Sequence, residues 1–193
     1  MPSNVDARIR KSQAAIISAG LELLGRNSEA TLSDIAQQAS VGRSTLYRLY
    51  ETKEQLMRAI GVHCMQCFDA ATQHLEKDAD SALQAFHLMF KAVLPLSAEM
   101  EFLMKLGDAA EQDPELDAIW QKQKRDIALM VDAAKAEGSL SRQVPTAWAV
   151  NLVEALFYAS WVTGAEEQMD HDALADLAFA TFSHGIAQQA TRA

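Results

Sequence analysis

Residues 31–56 of this chain of 193 residues read TLSDIAQQASVGRSTLYRLYETKEQL. The pattern predicts two short helices around a tight corner, followed by the start of a third helix. The second short helix carries Arg43, Ser44, Thr45, Tyr47 and Arg48, residue types that suit a nucleic-acid groove. This stretch indicates the class of function more strongly than any other part of the chain.

The same stretch has the packing residues that a helix-turn-helix needs. In that motif the first helix braces against the DNA backbone and the second lies in the major groove. Ala36 and Ala39 allow the helices to approach closely, and Ile35, Val41 and Leu46 supply apolar contacts between them. Polar and basic residues are left for the exposed side, so we expect a DNA-binding unit.

Each polar residue of the motif has an expected role. Arg43 can bind guanine through two hydrogen bonds, whereas Tyr47 and Arg48 can contact the phosphate backbone. Lys53, at the start of the next helix, directs a positive charge toward phosphate. The predicted DNA contacts are Thr31, Ser33, Arg43, Ser44, Thr45, Tyr47, Arg48, Tyr50 and Lys53.

Charge is unevenly distributed along the chain. The formal net charge is −9, yet residues 1–60 hold eight Lys/Arg against six Asp/Glu, a balance of +2. The remaining residues hold nine against twenty, a balance of −11. A mildly basic N-terminal segment followed by an acidic remainder is typical of a nucleic-acid module joined to a domain that does not bind DNA.

The composition favours a soluble cytoplasmic protein. Apolar residues make up 49% of the chain, without a run long enough to span a membrane and without a signal-peptide pattern. Two cysteines argue against a disulfide framework. We expect no cofactor, no bound metal and no enzymatic activity.

Nearly the whole chain has helical periodicity, which predicts an all-α protein of about nine helices. The domains expected are a helix-turn-helix DNA-binding domain over 1–52 and a second, helical domain over 53–193. The predicted helices are about 6–25, a short one from 31, 42–50, a long one from 52, 79–94, 97–111, 115–137, 146–164 and 171–190.

The motif resembles the N-terminal domain of the TetR family of bacterial transcriptional regulators over roughly residues 10–60. The resemblance rests on the order and spacing of Asp34-Ile35-Ala36, Ala39-Ser40-Val41, Thr45-Leu46-Tyr47, Tyr50 and Lys53-Glu54-Gln55-Leu56. Four positions depart from the family pattern: Ser40 replaces a turn glycine, Gly42 a capping serine, Ser44 a glycine, and Leu49 a His or Tyr. These departures indicate an altered operator.

The resemblance implies a homodimeric, ligand-responsive repressor that binds a near-palindromic double-stranded DNA operator. It also implies an effector pocket for a small molecule in the second domain, for which we expect Phe68, Phe86, Phe90, Met100, Met104, Trp120, Met130, Phe157 and Trp161. The last two helices should form the dimer interface, through Trp148, Leu152, Ala155, Ala159, Leu174, Ala178, Thr181 and Phe182.

Two cysteines leave an alternative open. Cys64 and Cys67 are three residues apart on one helical face, and His63 precedes them. They are expected to be buried thiols, because a redox-active cysteine usually lies at a helix N-terminus. The alternatives are a regulator that senses thiol oxidation or metal through Cys64 and Cys67, and an all-helical thiol enzyme.

Overall fold

The computed structural model describes residues 4–107 and 112–186, in which ten helices account for nearly all of the regular structure. The helices are α1 (Asn4–Arg26), α2 (Leu32–Gln38), α3 (Arg43–Leu49), α4 (Lys53–Thr72), α5 (Leu75–Asp78), α6 (Ala82–Val93), α7 (Ser97–Leu106), α8 (Pro114–Ala136), α9 (Thr146–Glu167) and α10 (His171–Ile186).

The all-α class is confirmed, and every predicted helix has a counterpart. The single turn α5 was not predicted. The predicted ends at 111 and 190 lie outside the described residues. No helix in the described part of the chain is long and apolar enough to cross a membrane.

The described residues divide into two units. The first comprises 4–67 with 98–107 and 112–117, and therefore holds α1 to α3, most of α4, α7 and the start of α8. The second comprises 68–97 and 118–186. The division falls within α4, after Cys67. The domain boundary after residue 52 stays a prediction, because packing does not show which residues bind an effector.

The first unit has a continuous apolar core that holds the motif to the long helices. The largest fully buried side chains of α1 to α4 are those of Ile16, Ile35, Leu46, Leu56 and Ile60. Gly20 allows α1 to approach α4, since a Cβ at this position would lie 2.7 Å from the Cδ1 of Ile60.

Helix α2 begins with a capping box. The Thr31 hydroxyl accepts from the Asp34 amide (3.2 Å), and the Asp34 carboxylate accepts from the Thr31 amide (2.9 Å). The Asp34 carboxylate accepts from the Thr31 amide and from the Thr31 hydroxyl, and these two hydrogen bonds, in that order, lower its pKa. Asp34 thus takes the place that Glu usually has in a capping box.

Helix α2 ends in a Schellman motif, although Ser40 replaces the expected glycine. The Val41 amide donates to the Ala36 carbonyl (2.9 Å), and the Ser40 amide donates to the Gln37 carbonyl (3.1 Å). Ser40 has a φ of +53°, in the left-handed region. Serine therefore adopts the turn conformation that glycine would adopt without steric cost.

We expect Ser40→Gly to increase the free energy of unfolding by about 0.5–1 kcal/mol, because it removes the crowding of Cβ at positive φ. Urea unfolding followed by circular dichroism measures the change. Ala39→Gly is the matched control: its φ is −72°, so the added chain entropy should lower stability by about 0.5–1 kcal/mol. Equal effects of the two substitutions would refute the strain at Ser40.

The second unit is built around phenylalanines. The rings of Phe86 and Phe182 have centroids 4.6 Å apart, and those of Phe90 and Phe157 are 4.9 Å apart. Phe90 also lies 6.4 Å from Phe182. Helices α6, α9 and α10 are therefore joined through aromatic side chains, whose tilted and edge-on arrangements are favourable.

Candidate nucleic-acid interface

Helix α3 presents one polar face and one buried face. Leu46 is fully buried, whereas Arg43, Ser44, Tyr47 and Arg48 are exposed. These four residues are spaced by one, three and one positions, which places them on one side of a helix. The exposed face is therefore made entirely of residues that can contact DNA, as the sequence pattern predicts.

The backbone at the start of α3 leaves this face open. Gly42 is the N-cap, with extended backbone angles (φ −61°, ψ 138°) and no side-chain hydrogen bond. Its carbonyl accepts from the amides of Thr45 (2.9 Å) and Leu46 (3.1 Å). Thr45 is half-buried beside the exposed set.

The electrostatics of α3 suit a phosphate backbone. Within the described residues, neither Arg43 nor Arg48 has a carboxylate within salt-bridge distance. Arg43 is close enough to Asp34 to contribute to lowering the pKa of that carboxyl group, after the hydrogen bonds from Thr31. Both guanidinium groups can therefore form salt bridges with DNA.

Two predicted contacts at the start of α2 are less accessible than the sequence indicates. The Thr31 hydroxyl also donates to the Asp34 carboxylate (2.7 Å), so both of its hydrogen-bonding roles are used within the cap. Ser33 is half-buried. A phosphate contact by Thr31 would have to break the capping box.

Tyr50 is buried, and Lys53 forms a hydrogen bond within the chain. Tyr50 is 8% exposed, and burial raises the pKa of its hydroxyl. We therefore reassign Tyr50 from a predicted DNA contact to the core. The Lys53 ammonium donates to the carbonyl of Ser28, which ties α4 to the segment after α1. An ammonium has three N–H donors, so Lys53 keeps donors for phosphate.

Long-range polar contacts complete the first unit, and the sequence pattern gave no sign of them. The Arg58 guanidinium of α4 binds the carboxylates of Asp113 and Glu115 (2.6 Å to Glu115) at the start of α8. The Lys105 ammonium of α7 donates to the Gly25 carbonyl at the end of α1 and to Glu101 (2.7 Å). The partners are separated by 55 or more residues, except for Glu101.

Both cysteines lie in the C-terminal half of α4, away from its N-terminus. Cys64 is fully buried, and burial, followed by the charge of Glu99, raises the pKa of its thiol to about 12. The pKa of Cys67 is raised by the same two effects, and its sulfur lies 3.6 Å from His63 Nε2. A thiol with a raised pKa holds little thiolate at neutral pH, so it reacts slowly. The burial of Cys64 and the raised pKa of both thiols give no support to a thiol sensor.

Metal binding is not supported within residues 4–107 and 112–186 either, where no group of three His, Cys, Asp or Glu side chains is placed to hold an ion. The metal-sensing alternative at Cys64 and Cys67 would need ligands that this part of the chain does not bring together.

The residues predicted for an effector pocket have different environments. Phe86, Phe90, Phe157 and Phe68 are buried in the second unit, where the first three belong to the aromatic core. Trp120, Met130 and Trp161 are half-buried in the same unit. Met100 and Met104 belong to the first unit, and Met104 is 45% exposed.

The predicted dimer residues also fall into two groups. Trp148, Ala155, Ala159 and Thr181 are exposed on α9 and α10, and Leu152 is half-buried. Leu174, Ala178 and Phe182 are at most 2% exposed. These three pack inside the same chain and are core residues, so their surface is not available to a partner. Two further apolar residues of these helices are exposed, Tyr158 (50%) and Leu177 (53%), and the sequence analysis missed Tyr158.

Known proteins share both the motif and the whole fold. The family model of the bacterial regulatory proteins of the tetR family matches residues 16–60. The HTH-type transcriptional repressor LfrR of Mycolicibacterium smegmatis is 26% identical over 185 residues, which cover 96% of this chain and 95% of LfrR.

Solved structures agree with this assignment. The crystal structure of LfrR from Mycobacterium smegmatis in complex with proflavine superposes with a TM-score of 0.77 and 27% identity, covering 95% of this chain and 99% of LfrR. The fatty acid degradation regulator FadR of Bacillus halodurans has the same fold (TM-score 0.77, 15% identity, 92% of this chain and 97% of FadR).

The matched residues 16–60 contain α2, α3 and the exposed basic face, and the likeness to LfrR extends over nearly the whole chain. Residues 16–60 therefore carry the domain that the bacterial regulatory proteins of the tetR family share, and the chain is a DNA-binding transcriptional regulator similar to LfrR.

Proposed function

We propose that this regulator is a cytoplasmic, homodimeric, ligand-responsive repressor, without enzymatic activity, that binds a near-palindromic operator through the exposed face of α3. The observation that carries the proposal is the placement of Arg43, Ser44, Tyr47 and Arg48 on one exposed face above a fully buried Leu46. A helix so arranged can enter the major groove without exposing its apolar side.

Each residue of this face has a distinct part in the proposal. Arg43, in the first turn of α3, reads a base edge, because the N-terminal residues of a recognition helix lie closest to the bases. Ser44 contacts a base edge or a phosphate. Tyr47 and Arg48 bind the phosphate backbone and fix the position of the helix. Lys53 adds a phosphate contact through donors that Ser28 leaves unused.

Exposed apolar side chains on α9 and α10 support the homodimer. Trp148 is 63% exposed, and Tyr158 and Leu177 are each at least 50% exposed. The small residues Ala155 and Ala159 are exposed on α9 and would let a partner helix approach closely. Aromatic residues on an exposed helical face are typical of protein interfaces. A two-fold axis would pair this surface with itself.

The effector is proposed to bind in the second unit. LfrR was crystallised with proflavine, an aromatic compound. The second unit of this chain offers the half-buried Trp120, Trp161 and Met130, which can adapt to an aromatic ligand. Helix α4 belongs to both units, so a ligand that favours one position of α4 would change the population of the DNA-binding state.

The homodimer is tested by Trp148→Glu. Placing a charge in the apolar surface should convert the dimer to monomer at micromolar concentration, because a buried unpaired charge costs several kcal/mol. Sedimentation equilibrium measures the mass. Leu129→Glu is the matched control: Leu129 is 66% exposed but lies on α8, so the dimer should persist. A wild-type monomer, or equal effects of the two changes, would refute this interface.

A further inference from the structure

Three side chains of the second unit, those of Trp120, Lys124 and Glu154, contact one another. The Trp120 indole Nε1 donates to Glu154 Oε1 at 2.8 Å, which joins α8 to α9. The Lys124 ammonium lies 5.1 Å from the centroid of the Trp120 ring and 3.5 Å from Glu154 Oε2. A single ammonium therefore faces both an aromatic ring and a carboxylate.

This pair of groups has the chemistry that binds organic cations. The face of an indole ring attracts a positive charge more strongly than the face of any other side-chain ring, and a carboxylate adds a direct ionic contact. The Glu154 carboxylate also orients the indole by accepting from its Nε1. The two groups thus form one recognition unit rather than two independent contacts.

The Lys124 ammonium can be displaced from Trp120 and Glu154 with little loss of free energy. Its side chain and that of Glu154 are each about one-third exposed, so water can replace the contact between them. Lysine has a flexible stem and a strongly hydrated ammonium. A ligand that brings both a charge and a flat ring would outcompete it, because the ring also removes apolar surface from water.

The surroundings of Glu154 favour a flat ligand over a small ammonium ion. Phe157 and Trp161 follow Glu154 on α9 after three and seven residues, which places all three on one side of the helix. Phe157 is buried against Phe90, whereas Trp161 is half-buried. Aromatic surface therefore lies beside the charge.

We propose that Trp120 and Glu154 form a subsite for a planar aromatic cation, and that Lys124 occupies this subsite until such a ligand displaces it. The inference rests on the proposed function only in taking the ligand to be an effector, since binding itself can be measured without DNA. Lys124 is thus a competitor of the ligand and not part of its binding set.

The test compares N-methylacridinium, a permanent cation, with acridine, which has the same rings and is uncharged in weakly alkaline solution. Binding to the full chain is measured by isothermal titration calorimetry. Lys124→Met should tighten N-methylacridinium binding about two- to fivefold, because the internal competitor is lost. Glu154→Gln keeps an acceptor for Trp120 and should weaken binding of the cation about five- to tenfold.

Two comparisons separate this site from general electrostatics. Arg125→Met removes a positive charge from the neighbouring exposed position of α8 and should leave the affinity for N-methylacridinium within about twofold of the wild type. The affinity for acridine should likewise stay within about twofold of the wild type in the Glu154→Gln variant. All variants are checked for an unchanged melting temperature.

Weaker cation binding by Lys124→Met, or equal gains with Arg125→Met, would overturn the role of Lys124. Failure of N-methylacridinium to bind the wild type and the Lys124→Met variant would overturn the subsite. Operator binding by the same preparations, measured without ligand, shows whether the proposed function stands independently of either result.

Discussion

Arg43→Ala is expected to weaken binding to the preferred operator about ten- to hundredfold per half-site and to relax the base preference at one position. A bidentate hydrogen bond to a base edge contributes about 1–3 kcal/mol of discrimination. Arg43 is exposed in the first turn of α3 and has no salt-bridge partner within the described residues, so its guanidinium can be directed to a base. Titration of the protein against operators that vary at single positions measures both effects.

Arg48→Ala is the contrasting variant. Arg48 lies on the same exposed face in the last turn of α3, where we expect a phosphate contact. Its loss should weaken all sequences similarly and reduce the slope of log affinity against log salt by about one. Lys53 is a less direct probe, because its ammonium also binds the Ser28 carbonyl. If Arg43→Ala left the affinity for every operator variant unchanged, base readout by Arg43 would be wrong.

Phe182→Ala is expected to lower the free energy of unfolding by about 3–5 kcal/mol, the usual cost of removing a buried aromatic side chain. Phe182 is fully buried and contacts the rings of Phe86 (4.6 Å) and Phe90 (6.4 Å). The expected loss is independent of protein concentration, because these contacts lie within one chain. Chemical unfolding at two protein concentrations measures it.

Leu177→Ala on the same helix is the matched control. Leu177 is 53% exposed, so its truncation should change the stability of the single chain by less than about 0.5 kcal/mol. A larger loss of stability is expected only through dimerisation, and it should then depend on the protein concentration. Equal, concentration-independent losses for both variants would contradict the division of α10 into a core side and a partner side.

Much of the DNA-binding unit could be predicted from sequence because its determinants are local. Arg43, Ser44, Tyr47 and Arg48 lie within one short helix, and their separation from Leu46 follows from helical periodicity alone. The capping box at Thr31 was predictable for the same reason, since its two partners are three residues apart.

Burial on a mostly apolar helix could not be predicted in this way. Helices α9 and α10 carry apolar residues around much of their circumference, so the pattern did not indicate which side faces the chain's own core. Leu174, Ala178 and Phe182 were assigned to the partner side and proved to be buried, whereas Leu177 on the same helix is exposed. Tyr50 was assigned to the DNA-facing side and is buried, although it directly follows the exposed face of α3.

Contacts between distant segments could not be predicted from the sequence either. The pair Trp120 and Glu154 is separated by 34 residues, and Arg58 and Asp113 by 55. A charged residue on a predicted helix has many possible partners, and only the packing of the helices selects one. The cation subsite therefore became visible only in the structure.

Two copies of α3 are expected to read a two-fold symmetric operator. The most direct measurement is selection of bound duplexes from a random pool by the purified full-length protein, followed by sequencing. We predict an enriched inverted repeat whose half-site centres lie roughly 34–36 Å apart, about one helical turn. Enrichment of a single asymmetric site, or no enrichment over the starting pool, would contradict it.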